Sequence, residues 1–122
     1  MKIDYLKLFK NNLVEFFDEL INQFPNDSDF IIARIFIKDK IPIEDILNAY
    51  IVNATPHEDL LKERDSDKII QIIRKMKLGI SENKLIKYAE MWKVELDDED
   101  KSVIWSWIDT FNNISKKYTM CE

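Results

Sequence analysis

The sequence predicts an all-α protein, a single-domain irregular bundle of about seven helices. Three observations carry that expectation. One glycine and three prolines in 122 residues are too few for a sheet protein, which draws on glycine, asparagine and proline at its reversals. Apolar residues recur at spacings of three and four, the period of a helix buried along one face. No segment alternates apolar and polar residues as a half-buried strand would. The length suits one domain with a sizeable core, assigned here to residues 1–118, with 119–122 as a tail.

The first helix is expected from Lys2 to about Phe24, with Ile3, Leu6, Phe9, Leu13, Phe16, Phe17, Leu20 and Ile21 on its apolar stripe. Pro25 ends it, because proline disfavours the helical conformation in the residue before it. Asn26, Asp27 and Ser28 offer caps for a second helix. The segment 29–37 is apolar on nearly all sides, and with no partner strand in the chain it reads as a central, mostly buried helix. Its Arg34 must reach the surface or a carboxylate. Lys38 to Lys40 reads as a polar link, and Pro42 as the first residue of a third helix with Ile43, Ile46, Leu47, Tyr50 and Ile51 inside.

Thr55-Pro56-His57-Glu58 fits a capping box for a short helix carrying Leu60 and Leu61. Asp65 or Ser66 caps the next helix, which holds Ile69, Ile70, Ile72, Ile73 and Met76 inside. Gly79 falls where a left-handed C-cap residue belongs, with Ile80 as its apolar contact. Ser81 opens a helix with Leu85, Tyr88, Ala89 and Trp92 on its stripe. The last helix runs through 96–118, with acids at its start and lysines at its end to complement the helix dipole.

Several chemistries are absent. A phosphate loop or dinucleotide fingerprint needs more than one glycine. One histidine and one cysteine do not build a zinc site, and His57 reads as a solvated residue in a helix's first turn. The acids Asp97 to Asp100 lack the spacing and central glycine of a calcium loop, so they read as cap and dipole complement. Nothing singles out a catalytic pair among 23 acids. The expectation is therefore a non-catalytic protein with no cofactor and no metal. No apolar run approaches the ~18 residues of a membrane span, and the amphipathic N-terminus does not look like a secretory signal. The lone Cys121 fits a reducing compartment.

A resemblance is carried by Phe24-Pro25, Asp29 to Phe36, Ile41-Pro42-Ile43-Glu44-Asp45-Ile46, Leu96-Asp97, Glu99-Asp100-Lys101 and Ile104-Trp105-x-Trp107-x-Asp109-x-Phe111. Across most of its length the chain resembles a group of small proteins encoded by large and giant DNA viruses of algae and protists. The resemblance implies a viral accessory or virion-associated protein in the host cytoplasm, the virus factory or the virion. It carries over no catalytic or binding residue.

Two candidate surfaces follow from the residues themselves. At ~100° per residue, Ile104, Trp107, Ile108, Phe111, Ile114 and Tyr118 share one face of the last helix, and Trp105 lies far off it. An off-stripe tryptophan is either packed by a neighbouring helix or an exposed interface anchor. The second reading makes Trp105, Asp109 and Asn112 a candidate contact with a viral or host protein, or with a second copy. The alternative is nucleic acid. Residues 62–93 hold nine basic against five acidic side chains, and Lys68, Arg74, Lys75, Lys77, Lys84 and Lys87 could form a basic face near Tyr88 and Trp92.

Overall fold

The computed structural model describes residues 2–25, 27–76 and 81–121. Among them every regular element is helical: α1 (Lys2–Gln23), α2 (Ser28–Ile35), a π-turn (Phe36–Lys40), α3 (Ile43–Ala54), a 3-10 turn (Thr55–His57), α4 (Glu58–Lys62), α5 (Ser66–Met76), α6 (Glu82–Val94) and α7 (Asp98–Met120). The protein is an all-α bundle, as composition and periodicity predict. Gly79 with Ile80, Lys77, and Asn26 as an alternative cap lie outside the described residues.

Local chemistry sets most boundaries. The Asp27 side chain accepts from the Asp29 N–H, and Ser81 does the same for Lys84. Asp97 holds the Asp100 N–H at 2.8 Å and Asp65 holds that of Lys68 at 3.2 Å. Each satisfies one of the donors that a helix start leaves without a partner. Pro42 is the N-cap of α3 rather than its first residue. The helix α7 continues to Met120, so the expected tail begins two residues later than residue 119.

The capping box at Thr55 is not formed. Thr55 sits in helical backbone (φ −57°, ψ −45°) with its N–H bonded to Ile51 O, so it closes α3 instead of opening α4. An N-cap needs extended backbone, which Thr55 lacks. Glu58 turns outward to pair with Lys62 at 3.7 Å and with Lys116 of α7.

The centre of the bundle is the antiparallel pair α1 and α7. Lys2 lies 5.1 Å over the Tyr118 ring, Phe9 is 5.5 Å from Phe111, and Phe16 is 6.0 Å from Trp107, so positions rise along one helix as they fall along the other. Tyr50 of α3 closes this aromatic group, 6.0 Å from Phe9 and 6.3 Å from Phe111. Ile69 and Ile72 bury the inner side of α5, which packs against α3 and α6.

The expected central role of 29–37 is corrected here. That segment returns antiparallel along α1 and buries Phe30, Ala33 and Ile37, with Arg34 reaching Asp18 at 2.6 Å. Its other side stays open, and Lys38 to Lys40 continue the helix as a π-turn instead of forming a link. At ~1.5–3 kcal/mol per buried large side chain, the five residues buried by α1 outweigh the two large ones buried here. Uniform apolarity identifies a helix but does not say how many neighbours will cover it.

Candidate functional site

The off-stripe tryptophan of α7 is packed from within the molecule. Trp105 is only 5% exposed. Trp92 of α6 meets it edge to face at 5.8 Å, and the Arg64 guanidinium lies 5.3 Å over its ring. Asp109 receives both terminal nitrogens of Arg64, at 3.0 and 3.1 Å. Asn112 accepts the Tyr50 hydroxyl at 2.5 Å. The exposed-anchor reading of Trp105 therefore gives way to its alternative, packing by a neighbouring helix. The three residues do lie together: Trp105 is buried beneath Trp92 and Arg64, whereas Asp109 stays exposed beside Arg64 and Asn112 is half-buried beside Tyr50.

Arg64 holds two of these residues, Trp105 and Asp109, and the sequence marks it only faintly. It follows the short helix α4 with a left-handed backbone (φ 63°). The Arg64 N–H donates to Leu61 O at 3.1 Å and the Asp65 N–H to Leu60 O at 3.0 Å. This is the paired-bond C-cap that usually recruits glycine. An arginine there bears a steric cost on the order of 1–2 kcal/mol. The two-point ion pair and the stacking on Trp105 offset it. The only sequence clue is a polar run between Leu61 and Ile69 with no glycine to turn it.

The basic segment is largely neutralised. Arg74 pairs with Glu82 at 2.9 Å, Lys84 with Asp29 at 3.6 Å and Lys93 with Asp67 at 3.6 Å. Lys62 and Arg64 are paired as described above, and Lys68 leans on Gln71 at 3.5 Å. Lys75 and Lys87 stay exposed. Tyr88 and Trp92, the expected stacking platforms, are engaged inside: Tyr88 stacks on Phe30 at 4.6 Å and Trp92 packs on Trp105. Among the described residues of the segment, Lys75 and Lys87 are the exposed cations that no such contact engages.

Both engaged tyrosine hydroxyls are held neutral. Burial, and then the nearby Asp109 carboxylate, push the Tyr50 hydroxyl well above the ordinary phenol value. Burial, followed by the carboxylates of Asp27 and Asp29, does the same for Tyr88, whose hydroxyl donates to Asp29 at 3.3 Å. Glu58 shifts the other way, chiefly because Lys116 donates to its carboxylate.

Two features emerge that sequence reasoning missed. The first is the outer face of α2 and the π-turn, where Ile31, Ile32, Ile35 and Phe36 are 42%, 43%, 45% and 37% exposed. At ~100° per residue, this face centres about 160° from the buried Phe30, Ala33 and Ile37. Its signal was present as the surplus of isoleucine that suggested full burial. The second is a cavity of about 120 Å³ chiefly between α1, α5, α6 and α7, with Phe30 of α2 and Tyr50 of α3 also on its wall. The fully buried Phe9, Leu13 and Phe111 line it, as do the half-buried Met76, Tyr88 and Met91. Among the described residues, no helix is long and apolar enough to cross a membrane, and no three His, Cys, Asp or Glu side chains gather as metal ligands. Comparison with protein-family models, with curated proteins and with solved structures finds no match.

Proposed function

We propose that this is a non-catalytic accessory protein, of the virus-encoded kind it resembles, that works by holding a protein partner against the outer face of α2 and the π-turn. One observation carries the reading. Four large apolar side chains lie within six residues on one face and stay 37% to 45% exposed. Contiguous apolar patches on a monomer's surface often mark contact sites. The face is a single helical stripe, so the occupant it fits is an amphipathic helix laid against it. Lys38 and Lys40 stand exposed at its C-terminal end and outnumber the adjacent Asp39, which favours carboxylates beside the partner's apolar stripe. A contact of this size gives a weak, reversible complex rather than an obligate one.

The test is a photo-crosslinking residue in place of Ile35, used in infected cells, with Ile32→Ser/Ile35→Ser as the paired variant. The expected product joins position 35 to an acidic amphipathic helix, and the double variant loses that partner while melting as the parent does. Recovery of the partner undiminished by the double variant, or no crosslink at all, overturns the reading.

A further inference from the structure

We propose that the cavity between α1, α5, α6 and α7 is a binding site for an uncharged, apolar small molecule about the size of one aromatic ring. Its volume, about 120 Å³, is close to that of an engineered apolar cavity of about 150 Å³ that stays dry and takes up benzene or xenon. The lining presents almost no polar atom. The two tyrosines on its wall show the cavity only their rings, because the Tyr50 hydroxyl is tied to Asn112 and that of Tyr88 to Asp29. Water entering such a space finds none of the two to four polar partners it needs, so an apolar guest has no bound water to displace.

Access and fit also favour a guest. The wall towards α1 and α7 is closed by fully buried side chains, whereas Ile73, Met76, Tyr88 and Met91 on the α5–α6 side are only half-buried, which provides a way in. Met76 and Met91 are unbranched and polarisable, suited to closing around an aromatic ring. The site is separate from the outer face of α2 and does not depend on any partner there.

The experiment is thermal unfolding of the full chain with and without benzene, with phenol as the polar counterpart, alongside proton NOEs from benzene to the methyl groups of Leu13 and Ile108. Benzene is expected to raise the Tm by a few degrees through binding to the native state alone. Phenol should give a much smaller shift, because its hydroxyl would be left without a partner. Ile73→Phe, which fills the space, is expected to raise the Tm without benzene and to abolish the benzene shift. Met91→Phe on the half-buried side is the second filling variant, should the first not fold. No shift with benzene, an equal shift in a folded filling variant, or NOEs confined to surface methyls each overturns the proposal.

Discussion

Arg64 shows how one side chain can hold a strained backbone in place. Its left-handed conformation suits glycine, while its guanidinium ties the α4–α5 turn to Asp109 and Trp105 of α7. Arg64→Ala keeps the backbone cost and loses the contacts, whereas Arg64→Gly loses the contacts and relieves the cost. Alanine should therefore be the less stable of the two by about 1 kcal/mol, read from the urea midpoints of the two variants. Trp105→Ala removes a buried aromatic from beneath that guanidinium and should cost about 3–5 kcal/mol. A loss below 1 kcal/mol in urea unfolding would return Trp105 to the surface role it was first offered.

At the scale of the element, α7 depends on its first turn. Asp97 caps the Asp100 N–H, and Asp98, Glu99 and Asp100 place negative charge at the positive end of the helix dipole. Asp97→Ala is expected to cost about 1 kcal/mol and to speed amide exchange in the first turn of α7 before any global change. Unchanged exchange at Asp100 would show that the cap bond does not hold that turn. The α2 segment has the opposite character. Its inner side is secured by Phe30, Ala33 and Ile37, while the outer Ile32 and Ile35 stay 43% and 45% exposed. Polar substitutions at Ile32 or Ile35 should therefore leave stability within about 0.5 kcal/mol.

For the whole molecule, the two neutral tyrosines predict an alkaline limit. Their hydroxyls ionise less readily in the folded state than at the ordinary value of 10.0. Their contribution is complete below that pH and is lost as pH rises above it, because the unfolded chain ionises first. Stability should fall steeply above pH 10.0, and Tyr50→Phe/Tyr88→Phe should flatten the fall; an unaltered profile in that variant would assign the limit to other groups. Glu58 works in the acid range with the opposite sign. Its depressed value adds stability above the ordinary glutamate range, and that small term is lost as pH drops through it. Filling part of the cavity of about 120 Å³ with a larger apolar side chain should change stability measurably.

Much of the architecture was legible because its causes are local. Periodicity, Pro25, and caps such as Ser81 and Asp97 act within a few residues of the helices they start or stop. The sequence alone therefore determined the helices and most of their order and ends. What only the tertiary structure decided was which surfaces meet. Trp105 is covered by Trp92 and Arg64 from two other segments, Glu58 is drawn to Lys116 of α7, and the 29–37 segment lies on the outside because α1 and α7 fill the centre between them. A helix's pattern states which faces are apolar. The number of neighbours available to cover those faces is a property of the assembled bundle, and that number left the outer face of α2 partly open and buried Trp105 of α7.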